Sequence, residues 1–249
     1  MTSATAPRRA GDTIALPVLI LGSLPLGEKD SIVRLISAEE GKISAVAKGA
    51  QSSKRRFGAS LDPGNFGTAH LVVPRDPEGG GVALWRLDRV DLRESFPHLR
   101  SSYYRLDCGL FAVALIRDLV PEGLGDPSFF RGLGRFLRDA SFPELEKLGK
   151  LPRIAFWLWA AHHLGYGDFA AEILKSGAWS EIERAAWSHG LGVQVPDFAK
   201  LWTFFADRGK SLSAAQEIAV YRKWVEITGL SWPHFERCVG FLSSSSPSY

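Results

Sequence analysis

The sequence predicts an α+β protein: an N-terminal five-stranded barrel followed by an all-helical domain. Three observations carry that expectation. Short apolar runs punctuated by glycine-bearing turns fill residues 13–90, apolar residues recur at three- and four-residue spacing from residue 98 onward, and seven of the eight tryptophans lie beyond residue 150. Strands first and helices afterwards mean an α+β fold or two domains.

The elements follow in order. Residues 1–12 are small, polar and proline-containing, and are expected to form a disordered arm. Ile14 to Leu21 reads as a first strand, Ser31 to Ser37 as a second and Lys42 to Gly49 as a third, with Ala38-Glu39-Glu40-Gly41 supplying a hairpin turn. "FGTAHLVVP" and "GVALWRLDRVDL" give two more strands around the loop "PRDPEGGG". Five short strands of this size point to the oligonucleotide-binding (OB) barrel, placed at residues 13–90.

Helices fill residues 91–242. "HLRSSYYRLDCGLFAVALIRDLV" has helical spacing and is stopped by Pro121 and Gly123. Asp126 and Pro127 form an N-cap and first-turn pair for the next helix. "LPRIAFWLWAAHHLGYG" closes at Gly165, and shorter helices follow near 181–188, 196–206, 213–227 and 233–242. Residues 243–249 form a flexible tail.

Charge is unevenly placed. Residues 1–90 carry 12 Lys and Arg against 9 acids, while residues 91–249 carry 18 of each. Gly41 to Leu61 holds Lys42, Lys48, Lys54, Arg55 and Arg56 with no acid, which concentrates a positive field there. Cys108 and Cys238 are 130 positions apart and form no CxxC pair, so neither a disulfide framework nor a zinc ribbon is encoded, and a cytoplasmic compartment is expected. Arg8 and Arg9 precede an apolar run that imitates a signal-peptide core. Pro17 and Pro25 interrupt that run and no A-x-A pattern follows, so it is read as a strand. No run reaches membrane-spanning length.

Signatures of catalysis fail on spacing. "GSLPLGEKD" puts Glu28 between the second glycine and Lys29, where a phosphate-binding loop needs lysine directly, so it is read as a charged turn. "RGLGRF" has no preceding strand and no third glycine. His162 and His163 are adjacent and splay apart on a helix without a ligating partner. No serine sits in a nucleophile elbow. The chain is read as a non-enzyme without cofactor or metal, and its tryptophans as core residues.

"AKGAQSSKRRFGAS", Ala47 to Ser60, remains. Its clustered cations suit phosphates through counterion release, and its glycines and serines let Lys54, Arg55 and Arg56 follow an irregular backbone. A polar solvated loop explains the same composition. Phe57 could seal the barrel or stack a base.

The stretch "LPLGEKDSIVRLISAEEGKISAVAKGAQSSKRRFGASLDPG" resembles the amino-terminal signature of the RecO family of recombination mediators: GExD, an apolar strand, a glycine turn, AVAKGA, then S-K/R-R-F-G and L-x-P. The likeness continues more loosely through "LRESFPHLRSSYYRL" and "DPSFF". It implies an OB fold with a helical domain and a non-enzymatic role in DNA repair and recombination. It further implies binding of single- and double-stranded DNA, annealing of strands coated by single-strand binding protein, contact with that protein's C-terminal tail, and work with RecR in loading recombinase at the nucleoid. On this resemblance Lys48, Lys54, Arg55, Arg56 and Phe57 fall on the basic loop motif, while Glu28 and Asp30 match the GExD turn and are read as structural. Many members carry a four-cysteine zinc site after the helix that ends here in "LGYGD", and this sequence has no cysteine there.

Arg34 and Lys42 are expected to extend the DNA-binding surface along the strands. An acidic, hydrophobic tail needs a cation beside an apolar slot, which makes Arg153, Phe156 and Trp159 the candidate partner-binding residues. Two other readings stay open: an OB-fold RNA-binding protein, and an interaction scaffold working through the helical half.

Overall fold

The structure, a computed structural model, describes residues 9–53, 56–74, 84–175, 179–191, 193–194, 196–233 and 235–236. The chain divides into two compact units, Met1–Pro97 with Val120–Gly134, and His98–Leu119 with Arg135–Tyr249.

The first unit is built on β1 (Thr13–Leu26), β2 (Asp30–Ser37), β3 (Gly41–Ala47), β4 (Phe66–Val72) and β5 (Trp85–Glu94). They close into a barrel in the order β1-β2-β3-β5-β4, the expected OB architecture. Every neighbouring pair is antiparallel except β3 and β5, which run parallel through Ala45↔Trp85, Val46↔Arg86 and Ala47↔Leu87. Alternation fills the interior: Val18 and Ile20 from β1, Val33 and Leu35 from β2, Ile43 and Ala45 from β3, and Ala69 and Leu71 from β4 point inward.

Strand β1 runs five residues beyond the expected end at Leu21, because it serves two neighbours in succession. Thr13 to Leu19 pairs with β4, Val18 to Leu26 pairs with β2, and a register shift between Ile20 and Gly22 bends the strand from one to the other. Pro17 and Pro25 each fall where β1 has a neighbour on one side only, so neither missing N–H need break a ladder. The charged turn shrinks to Gly27, Glu28 and Lys29.

Gly41 opens β3 at φ +66°, and a Cβ there would lie 2.0 Å from the Leu124 carbonyl oxygen. The 122–124 segment lies along β3 at this point: Gly123 N–H donates to the Lys42 carbonyl, Lys42 and Glu122 form a parallel bridge, and Ser44 Oγ donates to the Glu122 carboxylate.

Helices α1 (Tyr103–Leu119), α2 (Pro127–Asp139), α3 (Leu151–His163), α4 (Gly167–Lys175), α5 (Glu181–Leu191), α6 (Phe198–Ala206) and α7 (Ala214–Thr228) follow. Helix α1 starts later than expected. Residues Pro97–Ser101 form a 3-10 turn, and the Ser102 hydroxyl accepts from Arg105 N–H to cap the helix proper. Asp126 caps α2 by accepting from Ser128 N–H at 2.8 Å. Ser213 and Gln216 form a reciprocal capping box for α7, which ends at Gly229 in the left-handed region. Helix α4 was not expected: Gly165 reads as the close of α3, and the helix that follows spans only nine residues. Of the expected last helix, residues beyond 236 lie outside the described ones.

Helix α3 is buried from Leu151 to Ala161 with no solvent face, the pattern of a helix enclosed by its neighbours. Around it Trp157, Trp159, Trp179, Trp187, Trp202, Trp224 and Trp232 are all buried, as their spacing predicted. Phe136 contacts Phe156, Phe198 and Trp202 at 4.7–5.5 Å between ring centroids, and Trp157 contacts Trp224, Trp232 and Phe235 at 5.5–5.9 Å. No described helix is long and apolar enough to cross a membrane.

Gly41→Ala combines an unfavourable φ with a carbonyl clash, and is expected to lower stability by roughly 1–3 kcal/mol. The midpoint of urea unfolding should fall at unchanged slope; an unchanged midpoint would contradict the close approach of Leu124.

Candidate nucleic-acid interface

The basic loop leaves β3 at Ala47 and is fixed at both ends. At its start, Gly49 N–H donates to Asp30 Oδ1 at 2.8 Å, Gln51 N–H donates to the Lys29 carbonyl at 3.1 Å, and Gln51 Nε2 donates to the carbonyls of Gly27 and Asp30 at 3.1 and 2.7 Å. Asp30 therefore ties the charged turn to the basic loop. Glu28 and Asp30 stand three and one positions before the first strand residue of "SIVRLIS", and it is Asp30 whose carboxylate makes this tie.

At its far end, Phe57 is only 3% exposed and joins the barrel core with Leu61. Its burial favours the sealing role, since a ring enclosed by the barrel has no open face for a base. Arg56 sits above it, guanidinium carbon 5.0 Å from the ring centroid, and donates from Nη2 to the Lys48 carbonyl at 2.6 Å and from Nε to Ser53 Oγ at 3.2 Å. All these acceptors are neutral, and Arg56 forms no ion pair among the described residues. Lys48 and Arg56 are thereby brought together. Lys54 and Arg55 lie outside the described residues.

Arg34 is on the outer face of β2, opposite Gly22 and Ser44. Among the described residues neither Arg34 nor Lys48 forms an ion pair. Lys42 shares that outer face but is 9% exposed, at the end of β3 along which the 122–124 segment runs. The open part of the face is therefore the end with Val46 and Lys48. Arg86, which the sequence reading did not single out, joins it: β5 pairs Arg86 with Val46, and its guanidinium is half exposed, with Asp88 at 2.9 Å. Farther along β5, His70 Nε2 lies 2.7 Å from Asp91, and that hydrogen bond holds the exposed Asp91 carboxyl below its ordinary range.

The three partner-site candidates do not form one slot. Phe156 and Trp159 are core residues, with Trp159 Nε1 donating to the Val193 carbonyl at 3.2 Å. Arg153 is buried between Asp107 and Glu217, each 2.7 Å away, and its guanidinium stacks 4.1 Å from the Phe111 ring centroid. Burial works against its charge, but Glu217 and Asp107 outweigh that and hold its pKa above the ordinary arginine value. Arg153 lines a cavity of about 230 Å³ with Tyr103, Leu106 and Leu110, but its charge is already balanced. A second groove of about 590 Å³ is lined by the apolar Ile173, Trp179 and Val220 and by the charged Glu172, Lys175 and Lys223. No group of three or more His, Cys, Asp or Glu able to hold a metal occurs among the described residues.

Comparison with known proteins bears on this arrangement. Residues 13–83 match the family described as recombination protein O N terminal. The chain is 34% identical over 179 residues to the DNA repair protein RecO of Myxococcus xanthus (strain DK1622), covering 72% of this chain and 70% of that one. It is 35% identical over 126 residues to the protein of the same name from Anaeromyxobacter sp. (strain K), and 38% over 111 residues to that of Anaeromyxobacter dehalogenans (strain 2CP-C). Those two matches span 48% and 42% of the relatives' lengths.

Two outcomes follow from the geometry. Asp30→Ala removes a charged acceptor from Gly49 N–H and should cost about 1–2 kcal/mol, with faster hydrogen exchange at the Gly49 and Gln51 amides; unchanged exchange there would refute the tie. Arg153→Ala strands the buried Glu217 carboxylate and should cost about 3–5 kcal/mol, whereas Arg153→Met combined with Glu217→Leu should recover most of the loss in urea unfolding.

Proposed function

This chain belongs to the RecO family, and from that premise we propose that it is a non-enzymatic mediator of DNA repair and recombination. Its barrel binds single- and double-stranded DNA by the phosphates, and it anneals complementary strands coated by single-strand binding protein. It contacts the C-terminal tail of that protein and works with RecR to load recombinase, in the cytoplasm at the nucleoid.

The observation that carries this reading is that Arg34, Lys48 and Arg56, on one side of the barrel, form no ion pair among the described residues. They lie on and beside β2 and β3, the face that OB barrels use for oligonucleotides. Lys54 and Arg55, beside Arg56 in sequence, add to the same loop. Cations that bind phosphates lower the repulsion between two strands, so annealing needs no nucleotide hydrolysis. Lys42, being buried, is a weaker candidate than the other cations. For an acidic, apolar tail, the groove lined by Lys175 and Lys223 offers a better match than Arg153. Both lysines make exposed pairs, with Glu172 and Glu226, and such pairs contribute little and exchange readily. The RNA-binding reading draws on the same cations. The scaffold reading loses its main support, because all seven tryptophans of the helical unit are buried.

Binding of a labelled oligothymidylate should weaken as salt rises, and Arg34→Ala and Lys48→Ala should each reduce the salt slope by about 0.7, the value per phosphate contact on single strands. Competition with RNA of equal length should favour DNA. Complementary oligonucleotides precoated with single-strand binding protein should anneal faster with the protein and without nucleotide; no acceleration over the coated control would sink the mediator reading.

A further inference from the structure

The register of the barrel sets an exposed aliphatic row on its outer face. Leu24 of β1 pairs with Ile32 of β2, Ile32 with Val46 of β3, and Val46 with Arg86 of β5. Directly paired residues share a face, and the adjacent row containing Val33 and Ala45 points into the core, so the Leu24 row points out. Leu24 is 54% exposed, and Leu26, one row nearer the turn, is 42% exposed. Ile32 and Val46 are half-buried.

Cations stand on several sides of this row. Arg34 follows Ile32 by two residues on the same face, Lys48 is exposed in the turn just after β3, Arg86 ends the row paired with Asp88, and Arg56 is bonded to the Lys48 carbonyl. Asp30, opposite Leu26, has its carboxylate engaged by Gly49 N–H. Two residues along a strand span about 6–7 Å and two strand spacings about 10 Å. An apolar strip of that width, with positive charge beside it, fits a few unpaired bases lying flat while their phosphates reach the cations. The loop offers no aromatic platform in place of the strip, because Phe57 is enclosed in the barrel.

We propose that Leu24, Leu26, Ile32 and Val46 form the surface against which unpaired bases rest, and that this surface sets a preference for single-stranded over double-stranded DNA. The inference rests on the DNA-binding reading above and adds a division of labour. Phosphate contacts are available to both forms of DNA, whereas the faces of paired bases are stacked inside the duplex and cannot reach the row. A partner protein would also cover an apolar strip. Arg34, Lys48 and Arg56, which form no ion pair among the described residues, favour a polyanion with apolar faces, which is the chemistry of a single strand.

The test is the pair Leu24→Ser with Leu26→Ser in the full chain. Both positions are exposed, so the urea midpoint should hold. Affinity for labelled oligothymidylate, measured by anisotropy, should fall about five- to tenfold, while affinity for a hairpin duplex and both salt slopes stay unchanged. Leu24→Phe, which enlarges the apolar surface, should strengthen single-strand binding and leave the duplex unaffected. Equal losses on both DNA forms, or no loss on the single strand, would overturn the proposal. So would a shift from dimer to monomer in sedimentation with DNA affinity intact, which would mark a self-association face. If the unaltered protein bound neither DNA form in a salt-dependent way, the DNA-binding reading itself would fall; salt-dependent binding insensitive to both leucines would remove this inference alone.

Discussion

The charged loop of the barrel depends on an apolar contact. Phe57 reaches into the core beside Leu61, and enclosing a ring of that size contributes on the order of 1.5–3 kcal/mol. That anchor sets where Arg56 can go. From there its guanidinium covers the ring and returns to the Lys48 carbonyl, closing the loop on itself. At the other end the Asp30 carboxylate holds Gly49, so the loop is bounded by one hydrophobic and one polar fastening. A solvated charge run would have neither.

The two units treat charge in opposite ways. Arg153 in the helical unit is surrounded by Asp107, Glu217 and the Phe111 ring, so its charge is satisfied internally and helps specify how α1, α3 and α7 meet. Arg34 and Lys48 in the barrel unit are positioned by the backbone and Arg56 also by neutral acceptors, and none of the three forms an ion pair among the described residues. A buried charge left unpaired would be costly, whereas an exposed one costs little, and burial therefore separates the structural arginine from those open to a ligand.

Much of the fold was legible in the sequence because its signals are local. Alternation marked the five strands, Asp126-Pro127 marked the start of α2, and tryptophans at helical spacing marked a core. The misses share a different physical origin. The extension of β1 to Leu26 depends on a change of partner strand, which no window within the strand records. The burial of Lys42 depends on a segment some 80 positions away, and the neutralisation of Arg153 depends on residues 46 and 64 positions away. In the candidate site, composition picked out the cations and the resemblance located their loop. The resemblance marked Asp30 as structural without naming its partner Gly49, and the place of Arg86 beside Val46 came only from strand register, which a single sequence leaves undetermined.

The distribution of indole rings has an optical consequence. Seven tryptophans are enclosed in the helical unit, several within 6 Å of another aromatic ring, while Trp85 in the barrel stands apart from them in sequence and in unit. Seven of the eight indoles that absorb in the near ultraviolet therefore belong to the helical unit. Trp85 neighbours Arg86 and pairs with Ala45, beside the strand that carries Val46. Its indole packs against the barrel core, on the opposite side of the sheet from Val46, so it senses the barrel interior.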